Sequence, residues 1–455
     1  MKVTKPALRL LAAAIVATTV AGFAAVASPA TGLAAGHRAT VRPVPAVTGH
    51  ISAQSRTAPL STSDCVAQIG IHCYSPLQYR KAYDLNPLYA RGITGAGKTI
   101  VIVDSFGSPT IQHDLEVFDA QWGIPNTTVQ VVKAGNVPPF DPNNPDHVGW
   151  AQETTLDVEY AHAIAPGAHI VLVETAVAET EGVVGFPEMM DAEKALIDRG
   201  IGDVITQSFG ATENTFPGFD QGDFSSLLNL RYAFKDAERH GVTVLASSGD
   251  NGATDFVTDG SADFPFPVNS WPSSDPLVTS IGGTQLNLDN DGNRVSPDVV
   301  WNDGFGAGGG GPSHVFARPA YQFGVRNVVG AQRGTPDISM SAAVDGGAWV
   351  YYSFVGATSP WHIFGGTSEA SPIFSGIVAM ADQLAHRRLG DIHTALYLLG
   401  AASQHTHLPT GLVDVTVGDN SFDGVTGFPA LPGYDMSTGW GTVDAAKFVP
   451  ALALL

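Results

Sequence analysis

Short runs of β-branched residues alternate along this chain with longer stretches whose apolar positions recur every three or four residues. Thr99–Asp104, His169–Glu174, Asp203–Ser208, Val242–Ser247 and Leu277–Gly282 read as strands, and Gln152–Ile164, Pro187–Arg199 and Phe224–His240 as helices. Strand–helix alternation of this kind predicts an α/β fold, with a mostly parallel central sheet and helices on both faces. From Leu286 to Trp361 glycine and proline dominate, which predicts hairpins and long loops. No internal repeat is visible.

The period changes most sharply at Phe364–Leu384, FGGTSEASPIFSGIVAMADQL. Two glycines and a threonine deliver the chain to Ser368, after which Ile373, Ile377, Met380 and Leu384 fall on one helical stripe. Ser368 therefore belongs at a helix N-terminus, where unpaired N–H groups and the positive dipole end can hold negative charge developing on an attacked carbonyl. The same pattern also suits a plain N-cap serine before a buried helix.

The first residues set the compartment. Lys2, Lys5 and Arg9 precede an apolar run from Leu10 to about Ala27, and Ala25-Val26-Ala27 offers a cleavage site, so residues 1–27 read as a secretory signal peptide and the product as secreted. The other reading of the run is an N-terminal anchor. No later stretch is long and apolar enough to span a bilayer, so no membrane partner is expected after signal removal. Residues 28–73 are expected to be a short flexible segment, and 74–455 a single large domain. Cys65 and Cys73 are the only cysteines; export permits a bond between them, and no matching histidine pair suggests zinc. The formal charge of −20 argues against nucleic acid as a partner.

Two motifs are set aside on context. GITGAGKT, Gly92–Thr99, matches the phosphate-binding P-loop letter for letter, but a strand follows it where that loop requires a helix. LDNDGN, Leu288–Asn293, begins like a calcium-binding EF-hand loop yet lacks the closing glutamate, and reads as a hairpin turn.

A serine nucleophile needs a base. His113, in IQHDLEVF, has no consistent setting for the task. Glu153 and Asp157 lie four residues apart on one face of a predicted helix, where like charges are mildly unfavourable; a solvated face is the plainer reading, and Glu159 is expected to be solvated. Asp250, in SSGDNG, follows the C-terminal end of a strand, where open parallel sheets bind ligands. QSFG places Ser208, Phe209 and Gly210 at another strand end, where extended backbone could pair with a peptide.

In combination, ETTLD, SFG, SSGDNG, GGGGPSHVFARPAYQ, RGTPDIS and GGTSEASP resemble the sedolisin family of serine-carboxyl peptidases, relatives of subtilisin that work in acid. The strings occur in the family's order from about Tyr74 to the C-terminus. The resemblance implies a subtilisin-like fold and a secreted endopeptidase acting on proteins or peptides. It implies Ser368 as nucleophile, Glu153 as base, Asp157 as its orienting partner, Asp250 as donor to the oxyanion, and Ser208–Gly210 lining the substrate cleft. It also implies one Ca2+ ion held by Asp414, Val415, Leu431, Gly433 and Asp435. Leucine stands at 431 where the family usually has glycine, and Glu369 after the serine is a variation outside these roles. The family commonly carries a long folded pro-segment, whereas only a short unpatterned stretch precedes the core here, so a separate pro-segment or inhibitor chain is an expected partner. The alternatives are a non-catalytic peptide-binding protein on the same scaffold, a subtilisin-type peptidase using His113 and, more remotely, a phosphate-binding NTPase.

Overall fold

A computed structural model describes residues 58–356, 360–406 and 408–455. The expected signal peptide and the lead-in as far as residue 57 lie outside the described residues.

The described chain opens with helix α1 (Thr62–Gln68), capped by the Ser61 side chain, which accepts from the Asp64 N–H. Strand β1 (Cys73–Tyr74) follows, and a Cys65–Cys73 disulfide closes the loop between them. Part of the stretch expected to be flexible is therefore folded. Helix α2 (Pro76–Ala82) carries a full capping box, Ser75 with Gln78.

The central sheet is built from β2 (Thr99–Ser105), β3 (Val129–Ala134), β4 (His169–Thr175), β5 (Val204–Gln207), β6 (Thr243–Ser247) and β7 (Thr279–Gln285), in the spatial order β7-β6-β5-β2-β4-β3, all parallel. Strand β8 (Ile338–Ser341) adds in parallel to β7, and Val299–Val300 pairs antiparallel with it. Alternation along β2 divides the core. Ile100 and Ile102 face one apolar cluster, which holds Leu156, Ile373, Ile377 and Met380; Val101 and Val103 face the other, with Met189, Leu196 and Phe234. Helices therefore cover both faces, as the alternating pattern predicts.

The main helices are α3 (Ile111–Trp122), α4 (Pro145–Ile164), α5 (Phe186–Asp198), α6 (Tyr232–His240) and α7 (Thr367–Ala385). Helix α4 starts seven residues before its apolar period begins, because Asn144 caps it and Pro145 suits the first turn. It is buried on nearly every side from Trp150 onward, Glu159 included. The solvated position expected for Glu159 is incorrect: its carboxylate oxygen accepts from the Tyr351 N–H within the core. The helix expected over Phe224–His240 is broken by a 3-10 turn at Asn229–Arg231. Helix α3 and strand β3 escape the pattern reading, the latter because it is a half-exposed edge strand with Gln130 and Lys133 on its surface.

Both set-aside motifs are held by the chain's own hydrogen bonds. In the P-loop-like turn, the backbone N–H groups of Thr94, Gly95 and Ala96 all donate to one oxygen, Oε1 of Gln383 at the end of α7. The nest is occupied by the protein's own amide. At LDNDGN, Leu288 bridges to Arg294 and Asp289 Oδ1 accepts from the N–H groups of Asp291 and Asn293, a hairpin turn.

Buried charge is handled in two ways. Arg333 grips Asp337 through two nitrogens, and the fully buried His393 lies between Asp337 and Asp391, stacked on Tyr321 at 4.3 Å. Burial opposes ionisation of Asp337, but Arg333 and His393 hold its carboxyl far below the usual range; burial likewise opposes the His393 charge, and the two aspartates push it up to about 9. Elsewhere carboxyl groups are buried without a salt bridge, although the charges of Lys98 and Arg387 partly offset the burial of Asp382. Burial pushes Asp104, Glu213 and Asp382 each up to about 7. Groups whose folded value is raised stabilise the fold fully below their unfolded value near 4, and that stability is lost as pH climbs through the folded value. The midpoint of thermal unfolding is therefore expected to be highest near pH 4 and to fall steadily from pH 5 to 8, with Glu213→Gln flattening the slope. Calorimetry across that range checks it, and a midpoint rising toward pH 8 contradicts it.

Candidate active site

Strand ends and helix starts converge at one end of the sheet. β2 ends on Asp104-Ser105, β5 leads into Ser208, β6 into Ser248-Gly249-Asp250, and α7 begins at Thr367-Ser368. A short hairpin, β9 (Gly347–Tyr351) with β10 (Trp361–Phe364), delivers the chain to Gly365. Gly366 has φ 117° and donates to the Ala342 carbonyl. A Cβ on it would stand 2.7 Å from Asp250 Oδ2. Both the backbone angle and the crowding require glycine there.

Ser368 is completely buried in the first turn of α7. Its hydroxyl faces the Glu153 carboxyl of α4 and is the strongest influence favouring ionisation of that group, although neither side chain completes a hydrogen bond within strict limits. Catalytic hydrogen bonds are often long before substrate arrives. One turn on, Asp157 Oδ1 accepts from the Ser208 hydroxyl at 2.9 Å. The sequence reading assigned Ser208–Gly210 to the cleft through their backbone; the Ser208 side chain adds a tie to Asp157. Phe209 packs inward against Phe186 at 6.1 Å. Gly210 lies close against the Trp271 carbonyl, 3.2 Å from where a Cβ would be.

Asp250 Oδ1 accepts from the Thr367 N–H at 2.7 Å and from the Thr367 hydroxyl at 2.8 Å. These bonds turn the other oxygen, Oδ2, toward Gly366 and the serine turn. Thr367, the group that aims Asp250, carries no signal in the sequence pattern.

Asp104 is a further residue of this site absent from the sequence expectations. This fully buried carboxyl at the end of β2 is raised by burial, with Thr154 as its hydrogen-bonding influence. Its position at a strand's C-terminal end is the signal that could have found it. Burial raises Glu153 and Asp157 well above the usual carboxyl range; the charges of Asp104, Asp250 and Glu179 raise Glu153 further, while those of Asp104 and Glu153 raise Asp157. Carboxyls this close share protons and titrate together. His113 is exposed on α3, and among the described residues no histidine hydrogen-bonds Ser368.

The residues expected from the resemblance to hold calcium form a second locus. Gly433 N–H donates to Asp414 Oδ2 at 2.8 Å, joining the loops at 412–415 and 431–435. Asp435 Oδ2 accepts from the Leu431 N–H, and its Oδ1 accepts from Ser437 and Thr438. Burial raises Asp414, and the neighbouring Asp435 charge raises it further. Two repelling carboxylates beside backbone carbonyls are a donor set that fits a hard cation. Among the described residues no group of three or more His, Cys, Asp or Glu could hold a metal, so carbonyls would have to supply much of the shell. Leu431 is not strained: the described non-glycine residues with positive φ are Asp84, Phe106, His386 and Asp423.

A parallel sheet with a buried serine and carboxyl cluster at the C-terminal ends of its strands defines a subtilisin-like fold. No family model matches the chain. It is 31% identical over 399 residues to kumamolisin from Bacillus sp. (strain MN-32), covering 83% of this chain and 63% of that protein. It is 29% identical over 384 residues to sedolisin from Pseudomonas sp. (strain 101), covering 82% and 60%. The solved structure of Pseudomonas sedolisin, a serine-carboxyl proteinase complexed with two molecules of pseudo-iodotyrostatin, superposes with a TM-score of 0.68 at 27% identity, over 84% of this chain and 98% of that one. Over most of its length the chain is similar to these serine-carboxyl peptidases of the sedolisin family. It spans about three-fifths of the length of these two relatives.

Replacing Gly366 with alanine is expected to lower stability by about 1–3 kcal/mol, since the added carbon meets Asp250 and the backbone angle disfavours it. Urea unfolding measures the loss; an unchanged midpoint contradicts the close approach.

Proposed function

We propose that the protein is a secreted, acid-acting endopeptidase that cleaves peptide bonds in protein substrates. The observation that carries this reading is the buried Ser368 hydroxyl facing the Glu153 carboxyl. Kinship with a solved serine-carboxyl proteinase supports it.

In this reading the Ser368 proton passes to Glu153 as Oγ attacks the substrate carbonyl carbon. The carbonyl oxygen becomes an oxyanion, and Asp250, protonated on Oδ2, donates to it. The peptide C–N bond then breaks, and Glu153 returns its proton to the leaving amine. Water repeats the sequence against the acyl-enzyme, with Glu153 again as base. Asp157, held by Ser208, orients Glu153 and supplies charge for the proton transfer. Extended substrate backbone lies against Ser208–Gly210.

The pH dependence follows from opposite demands. Glu153 must be ionised to accept a proton, which sets an acid limb; Asp250 must be protonated to donate, which sets the neutral limb. Burial and its neighbours hold Glu153 above the ordinary carboxyl range, which shifts the acid limb upward, so activity on a denatured protein is expected to be highest in mild acid and to fall above roughly pH 6. Ser368→Ala should lower kcat at least about a thousandfold and Asp250→Ala about a hundredfold. A maximum at pH 8, or full activity without Ser368, overturns the reading.

A calcium ion would be held by the carboxylates of Asp414 and Asp435 and the carbonyls of Val415, Leu431 and Gly433. There it would neutralise the repulsion between the two aspartates and tie the C-terminal loops together. Chelation is expected to lower the unfolding temperature, and Asp435→Asn to abolish that response; a midpoint indifferent to chelator removes calcium from the account. Among the described residues no helix is long and apolar enough to cross a membrane.

A further inference from the structure

Directly after Ser368 stands an ionisable residue for which the reaction above has no use. Glu369 is fully buried, and neither of its carboxyl oxygens completes a hydrogen bond within strict limits. A buried carboxyl in that condition demands an explanation. Its surroundings are consistent: Tyr79 from α2, Tyr160 from α4, Tyr74 and Tyr83 from the N-terminal segment, and Ser341 from β8. Arg294 lies beyond, over the Tyr83 ring at 5.6 Å and paired with Asp298.

Two of these neighbours offer Glu369 a role. The hydroxyls of Tyr79 and Ser341 are the hydrogen-bonding influences on its carboxyl. The Ser341 hydroxyl is itself buried and without a partner within strict limits. Tyr79 already donates its proton to the Gly346 carbonyl at 2.9 Å, so its oxygen remains open to a donor. A protonated carboxyl satisfies both: its O–H donates to Tyr79, and its other oxygen accepts from Ser341.

Those partners are fixed from elsewhere. The Ser341 N–H donates to the Tyr83 hydroxyl at 2.7 Å, and the next residue, Ala342, accepts from the Gly366 N–H two residues before the serine. The 341–342 segment thus meets the serine turn by a backbone bond on one side of Ser368 and can meet it by a side-chain bond on the other. We propose that Glu369 is a positioning residue for Ser368: its uncharged carboxyl couples the first turn of α7 to the hydroxyls of Tyr79 and Ser341. Through Tyr79 the N-terminal segment, with its disulfide-closed loop, thereby helps set the height of the nucleophile above Glu153. The proposal rests on Ser368 being the nucleophile.

The test measures kcat and KM of the processed full chain on one peptide at pH 4. Glu369→Gln keeps a neutral group that both donates and accepts, and should stay within about threefold of the parent. Glu369→Leu fills the volume without polar atoms and should lower kcat about tenfold with KM within about twofold, a split that a purely structural loss does not give. Adding Tyr79→Phe to Glu369→Leu should cost nothing further. Parental kcat in the leucine variant, or losses that multiply in the double variant, overturns the proposal. If the leucine variant does not fold, Tyr79→Phe and Ser341→Ala delete one hydroxyl each and should each lower kcat by about threefold; parental kcat in both overturns it. Failure of the nucleophile assignment shows separately, as activity surviving in Ser368→Ala.

Discussion

Removing carboxyl groups from water is the constraint on which this structure depends. Glu153, Asp157 and Asp104 sit within the core, where burial opposes their charge and each charge raises its neighbours. Such a cluster is stable only while it retains protons. The same condition makes a carboxyl a useful base: a raised pKa gives stronger proton affinity than a solvated carboxylate has, so proton transfer from a serine hydroxyl is less uphill. Fold and chemistry therefore favour the same pH.

The scaffold shows that the alternative was accessible. Asp337 is as deeply buried as Asp157, yet Arg333 and His393 keep it ionised to low pH. That charge lock lies around β8, where rigidity is useful and no proton moves. At the convergent strand ends, among the described residues, no arginine or lysine hydrogen-bonds Glu153 or Asp157. A cation placed there would pull the carboxyls down to ordinary acidity and remove their hold on a proton. Among the described residues the chain thus pairs its buried charge around β8 and leaves the carboxyls at the convergent strand ends without a salt bridge.

How much of this was legible in the sequence varies with the kind of signal. The five sheet strands and the helix after Ser368 carry strong periodicity, and their positions follow from it within a few residues. The P-loop-like turn was recognisable as a decoy from order alone, since a strand followed it; that Gln383 fills its nest could not be read, because the two are almost three hundred residues apart. Helix α4 misled in the opposite direction. It is buried nearly all round, so no polar face marks where solvent lies, and Glu159 looks like any exposed acid. Asp104, Thr367 and Ser208 contribute through side-chain contacts between distant segments, which local pattern does not encode.

Positions where the chain departs from the sedolisin family's usual letters divide on physical grounds. Leu431 replaces a glycine but needs no glycine angle, and a backbone carbonyl is the same whichever side chain it follows. That substitution leaves the loop's donor set intact. Glu369 differs in kind, because it introduces an ionisable group into a sealed layer one residue from the serine. A buried carboxyl costs stability at every pH where the unfolded chain would ionise it. In acid the added group is neutral in both states, and that cost disappears. The cost of Glu369 is thus contingent on pH, and a relative built for neutral pH could not carry the same residue at this position without a cation to accompany it.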